Sequence, residues 1–169
     1  AKDKGFTTLL TFGGAYSNHI CAVASIGEAL NFKTIGVIRG EELKDNHIEN
    51  PTLNFAKKCG MHFKFIDRVS YRSKTSREFI KTLKNEYGEF YMLPEGGTNN
   101  LAVKGCEEIL NDNDFEFDYV CCAVGTGGTI ASVINSTKSH QKVLGFPALK
   151  GDFLETEIKN YTSKQNWSL

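Results

Sequence analysis

The sequence predicts an α/β protein of open, mostly parallel sheets with flanking helices, arranged in three layers and divided into two subdomains. Three observations carry this. Strand-like apolar runs alternate with helix-like runs along the chain, the pattern of parallel strands joined by right-handed crossovers. Three glycine turns, at Gly13-Gly14, Gly96-Gly97 and Gly125 with Gly127-Gly128, each follow a strand-like run and open a helix. The chain has 169 residues, 40% apolar and 24% charged, enough for one domain or one and a half with a buried core.

Residues 1–5 read as a helix tail closed by Gly5. Residues 7–12 form a strand, and the Gly13–Ser17 turn leads into a helix reaching Leu30, with Ala22, Val23, Ile26, Ala29 and Leu30 on one face. The run 33–38 is β-branched and apolar, as a buried parallel strand requires. Residues 39–50 are polar and irregular. Asn50-Pro51 caps and starts a helix that Gly60 ends. A strand spans 62–66, a loop 67–73, a helix 75–87 closed by Gly88, and a strand 90–93. The Pro94–Asn100 turn opens a helix over 101–110, followed by an acidic loop over 111–116. A strand at 119–124, the 125–129 loop, a helix at 130–137, a strand at 143–146 and a helix beginning at 151 complete the pattern. The subdomains divide at 1–93 and 94–169.

Formal net charge is zero, which disfavours nucleic acid and anionic membranes as partners, since both demand a basic surface. No apolar run approaches the roughly 20 residues that span a bilayer. The five cysteines include no C-x-x-C, and the four histidines have no ligand spacing among themselves or with them, so no metal site is expected. The cysteines read as small buried hydrophobes in a reducing, cytoplasmic setting.

Two loops carry the chemistry. In Gly125-Thr126-Gly127-Gly128-Thr129 the glycines let backbone approach an anion, the threonines add donors, and the following helix presents free N–H groups and a partial positive charge. It is neither a Walker loop nor a Gly-x-Gly-x-x-Gly fingerprint, and a plain strand-to-helix turn also accounts for it. In Gly13-Gly14-Ala15-Tyr16-Ser17-Asn18-His19 three polar side chains stand at the carboxyl end of a strand, where open α/β sheets bind ligands; Ser17 or Asn18 also serves as a simple helix cap. Two such units suit a phosphate-bearing cofactor, one holding the phosphate and the other the reactive ring.

Gly-Gly-Ala-Tyr-Ser-Asn-His, Pro-Glu-Gly-Gly-Thr-Asn and Gly-Thr-Gly-Gly-Thr, in this order and spacing, resemble the pyridoxal-phosphate enzymes of the 1-aminocyclopropane-1-carboxylate deaminase/D-cysteine desulfhydrase family, of tryptophan-synthase-β-like fold. The resemblance covers essentially the whole chain. It implies that Gly125, Thr126, Gly127, Gly128 and Thr129 hold the pyridoxal 5'-phosphate, and that Asn18 hydrogen-bonds the ring's phenolic oxygen. It puts Ser17 at the substrate carboxylate or the moving proton, and His19 and Thr98 on the substrate side, with Thr98-Asn99 at the pocket mouth. It implies a lyase or deaminase acting on a small amino acid, D-cysteine or 1-aminocyclopropane-1-carboxylate. The ring stabilises a carbanion, and an enamine then hydrolyses to a 2-oxo acid and ammonia, with sulfide from D-cysteine.

The expected partners are that substrate and a second copy of the chain, as a homodimer. The family's Schiff-base lysine lies in Asn-Lys-x-Arg-Lys upstream of the first glycine turn, and this chain has no such motif. The family also runs to roughly twice this length. The chain therefore reads as an internal segment, 1–93 being most of a small subdomain and 94–169 the first part of a large cofactor-holding one. By itself such a segment is expected to be inactive. Tyr16 stands where deaminases proper carry glutamine. A nucleotide- or phosphometabolite-binding module without covalent chemistry explains the glycine loops equally well, but not the Ser17-Asn18-His19 triplet.

Overall fold

The computed structural model describes residues 1–148 and 152–169; Gly151, where the last helix was expected to begin, lies outside them. The chain forms two compact units, Ala1–Gly96 and Gly97–Leu169.

Unit 1 contains β1 (Thr8–Gly14), α1 (Asn18–Leu30), β2 (Lys33–Arg39), α2 (Pro51–Lys58), β3 (His62–Ile66), α3 (Arg68–Arg72), α4 (Arg77–Tyr87) and β4 (Tyr91–Met92). The sheet order is β3-β2-β1-β4, and every pairing is parallel. β1 is central and buried along almost its whole length, so it reads as a continuous apolar run rather than an alternating one. Its two faces nevertheless serve different cores. Leu9 joins Ile20, Val23 and Ala24 of α1 and Leu53 and Ala56 of α2. Leu10 and Phe12 join Tyr71 of α3 and Leu83 of α4. That is a three-layer arrangement.

The helix starts follow from capping chemistry. Ser17, Asn50, Asp67 and Ser76 each occupy an N-cap and accept hydrogen bonds from first-turn N–H groups. α3 was expected to be loop. Five residues are too few to show a helical period, but the Asp67 carboxylate accepts from the Val69 and Ser70 N–H groups at 2.7 and 2.9 Å, and buried Tyr71 anchors the turn. The irregular stretch 39–50 contains two short 3-10 turns, Glu41–Leu43 and His47–Glu49.

Unit 2 contains α5 (Asn100–Cys106), β5 (Tyr119–Val124), α6 (Gly128–Ser136), β6 (Lys142–Pro147), α7 (Phe153–Lys159) and β7 (Trp167–Ser168), with parallel order β5-β6-β7. Its core gathers Val124, Ile130, Ile134, Val143, Leu154 and Ile158. On the opposite face of the sheet Tyr119, Cys121, Ala123 and Phe146 are exposed. Two-residue β7 escaped the sequence reading because it is too short for any periodicity. The expectation of buried cysteines is corrected. Cys121 is exposed and the other four are partly exposed, all as free thiols; alternation along β5 turns Cys121 away from the core.

Spacing decides which glycines the fold itself requires. A Cβ on Gly13 would lie 2.5 Å from Ile20 Cγ1 and 2.9 Å from Ser17 Oγ, whereas one on Gly105 in α5 meets nothing within 4 Å. Gly13→Ala should therefore destabilise by about 1–3 kcal/mol through overpacking. Gly105→Ala should be neutral or stabilise by up to about 1 kcal/mol. Urea unfolding midpoints of the two variants check this; equal midpoints would refute the close approach at Gly13.

Candidate functional site

In unit 1 the Ser17-Asn18-His19 triplet stands where α1 leaves the carboxyl end of β1. Ser17 is the N-cap, its Oγ accepting from the Ile20 N–H at 3.3 Å. Asn18, the first helical residue, is exposed, and its side chain has no hydrogen-bond partner among the described residues. Tyr16 is 76% exposed. His19 turns back onto the sheet, with Nε2 2.7 Å from Thr11 Oγ1, while that hydroxyl donates to the Leu93 carbonyl at 3.2 Å. A carbonyl can only accept, so both contacts are hydrogen bonds only if His19 carries its proton on Nε2. His19 Nδ1 is then an acceptor with no partner among the described residues. Burial lowers the His19 pKa, opposed by the nearby Glu95 carboxylate, which keeps the ring neutral near pH 7.

The sequence reading missed this relay. Thr11 is fully buried, and a lone threonine within an apolar strand is the signal that could have revealed it, since a buried hydroxyl needs a partner.

A second group was also missed. Glu95, in the Pro94-Glu95-Gly96-Gly97 turn, accepts from the Tyr71 hydroxyl at 2.7 Å and pairs with Lys74 Nζ at 3.0 Å. Arg39 and Lys74 lie over the Tyr71 ring, at 5.6 and 4.5 Å from its centroid. Burial pushes the Glu95 carboxyl up, but the Tyr71 and Lys74 hydrogen bonds and the neighbouring cations hold it below the usual range. Burial and the same carboxylate raise the Tyr71 hydroxyl. Glu95 thus tethers the turn that follows β4.

In unit 2, β5 ends at buried Val124 and the chain enters the glycine loop. Gly127 has φ 88°, the left-handed region, and is the N-cap of α6 with no side-chain cap. The N–H groups of Gly128, Thr129 and Ile130 have no partner among the described residues. Thr126 is exposed, and its Oγ1 lies 2.7 Å from Thr98 Oγ1. Gly125 has open space where a Cβ would stand, so the fold itself leaves room for a side chain there. Asn99 is occupied as the cap of α5, accepting from the Ala102 N–H at 3.0 Å. The residues thus form an anion cradle of uncapped N–H groups, a hydroxyl pair and free volume, and they fit a phosphate. Among the described residues no group of three or more His, Cys, Asp or Glu is placed to hold a metal ion, and no helix is long and apolar enough to cross a membrane.

No protein-family model matches the chain. It is 32% identical over 155 residues to the "Putative 1-aminocyclopropane-1-carboxylate deaminase" of Thermotoga maritima, covering 86% of this chain and 48% of that protein. It is 31% identical over 150 residues to the mitochondrial bifunctional D-cysteine desulfhydrase/1-aminocyclopropane-1-carboxylate deaminase of Arabidopsis thaliana, covering 79% of this chain and 37% of that one. The chain therefore spans less than half the length of these curated relatives. Among solved structures, an ACC deaminase homologue superposes with TM-score 0.74 at 26% identity, over 95% of this chain and 51% of its own. Maize serine racemase, at TM-score 0.63 and 20% identity over 86% of this chain and 42% of its own, shares the fold. The fold read from the sequence is the one these structures share, and the resemblance carried by the three motifs extends along most of the chain.

Neutral His19 gives unit 1 a pH signature. Its folded pKa is below its unfolded value, so the unfolded chain binds more protons. Stability is present above pH about 6.5 and is lost as pH falls through that value toward the folded pKa. Denaturation midpoints between pH 7.5 and 5.5 should fall for the wild type and lose that component in His19→Gln. Coincident profiles would show that the titration of His19 contributes nothing to the pH dependence of stability.

Proposed function

We propose that this chain is part of a pyridoxal-phosphate-dependent enzyme of the 1-aminocyclopropane-1-carboxylate deaminase/D-cysteine desulfhydrase family, converting a small amino acid to a 2-oxo acid and ammonia, with sulfide where the substrate is D-cysteine. The observation that carries the reading is the uncapped, glycine-lined N-terminus of α6, in a chain whose first helix opens with Ser17-Asn18-His19. When bound, pyridoxal phosphate supplies an electron sink for negative charge at the substrate's α-carbon. The chain's own residues bind and orient. Gly125, Thr126, Gly127, Gly128 and Thr129 in unit 2, the cofactor-holding part, direct N–H and O–H donors at the phosphate. In unit 1, the substrate side, the Asn18 amide donates to the ring oxygen; its exposure, with no hydrogen-bond partner among the described residues, supports this.

Ser17 is assigned to the substrate carboxylate or to a proton in transit. Its hydroxyl oxygen has two lone pairs and one proton, so capping Ile20 leaves the proton free to donate. His19 presents Nδ1 as an acceptor for a substrate donor. The functional assembly is a homodimer in a reducing compartment such as the cytoplasm, which suits five free thiols.

The phosphate assignment is tested by charge at constant shape. In the full-length protein, Gly127→Asp should weaken pyridoxal-phosphate binding about 10-fold or more relative to Gly127→Asn. Both side chains tolerate the left-handed backbone, and only one opposes the anion. Equal affinities in equilibrium dialysis would refute the assignment.

Ser17 and Asn18 separate by a different measurement. Ser17→Ala should lower kcat on the order of 100-fold while the cofactor's visible spectrum stays unchanged, whereas Asn18→Ala should shift that spectrum. Steady-state kinetics with D-cysteine and 1-aminocyclopropane-1-carboxylate decide this. Full activity of Ser17→Ala on both would reduce Ser17 to a helix cap.

A further inference from the structure

The structure assigns Thr98 to the phosphate cradle: it is a positioning residue that aims the Thr126 hydroxyl at the anion. The inference rests on the pyridoxal-phosphate reading above and deepens it, since the sequence places Thr98 with the substrate. Two observations carry it. Thr98 Oγ1 lies 2.7 Å from Thr126 Oγ1. Thr98 also packs onto the first residue of α6, where a Cβ on Gly128 would lie 2.9 Å from Thr98 Oγ1 and 3.1 Å from its Cγ2. Thr98 and the 125–129 loop both belong to unit 2.

Proton counting gives the direction. Each hydroxyl carries one proton, and a single contact between them uses one of the two. The other is free for a ligand. Thr126 is exposed in the loop itself and Thr98 is partly buried behind it. With an anion at the α6 N-terminus, Thr98 therefore donates to Thr126 and Thr126 donates outward. The inner hydrogen bond polarises the outer one and fixes its rotor. Gly128 is the residue that permits this, because any side chain at that position would displace Thr98. The glycine at position 128 thus answers to Thr98, while the space beside Gly125 is left for the ligand.

The test uses the full-length protein with three probes, pyridoxal phosphate, inorganic phosphate and pyridoxal, read as dissociation constants without turnover. Thr98→Val keeps the shape and removes the hydroxyl. It should weaken pyridoxal phosphate and inorganic phosphate in parallel, by about 5- to 10-fold as for one lost hydrogen bond, and leave pyridoxal unchanged. Thr98→Ser should stay within about 2-fold of the wild type for all three, since it restores the donor that a loss of about one hydrogen bond would remove. The inference is overturned if Thr98→Val binds both phosphates as the wild type does, or if it loses pyridoxal and pyridoxal phosphate equally. In either case the pyridoxal-phosphate reading survives as long as the wild type binds the cofactor. Wild-type protein that takes up neither pyridoxal phosphate nor phosphate overturns both.

Discussion

The close approach of α1 to the end of β1 is the contact on which unit 1 depends. β1 sits between two cores, Leu9 committed to one helix layer and Leu10 and Phe12 to the other. At its carboxyl end the first turn of α1 closes onto Gly13, where Ile20 and the Ser17 hydroxyl occupy the space a side chain would need. A packed interior tolerates little added volume. The glycine therefore fixes how near the helix start lies to the strand, and with it the direction in which Ser17, Asn18 and His19 leave the sheet. The apolar contact of Ile20 and the polar cap of Ser17 act at the same point.

Buried polar groups then tie the neighbouring strands to that point. Thr11 is buried away from bulk solvent and finds His19 on one side and the Leu93 carbonyl on the other. The relay joins the start of α1 to the end of β4. Just beyond, Glu95 is held by Tyr71 and Lys74 from the opposite helix layer. The turn after β4 is thus anchored from both faces of the sheet. Such charge-assisted and buried hydrogen bonds are directional where apolar packing is not, so they define loop geometry that the core alone leaves free.

The two strand–glycine–helix units look alike in sequence and differ in their use of polar groups. At α1 the N-terminal donors are partly met by Ser17. At α6 no side chain among the described residues meets them, and the hydroxyls nearby pair with each other instead. A helix terminus without an internal cap keeps its partial positive charge available. That contrast separates a turn whose donors are partly used within the fold from one whose donors are left available.

The sequence by itself determined the α/β class, the parallel strands, the glycine turns and the caps at Ser17 and Asn50. Each of these follows from periodicity or from the chemistry of a few adjacent residues. It also singled out both loops, because glycines and small polar side chains cluster there. The tertiary structure decided what depends on residues distant in the chain. Asp67 and Tyr71 make a helix of a stretch too short to show a period. Trp167-Ser168 become a strand only by pairing with β6. Thr11 finds His19 and Leu93, and Thr98 finds Thr126 across 28 positions. A hydroxyl's partner is set by the packing of whole elements, and local sequence spacing carries no record of it.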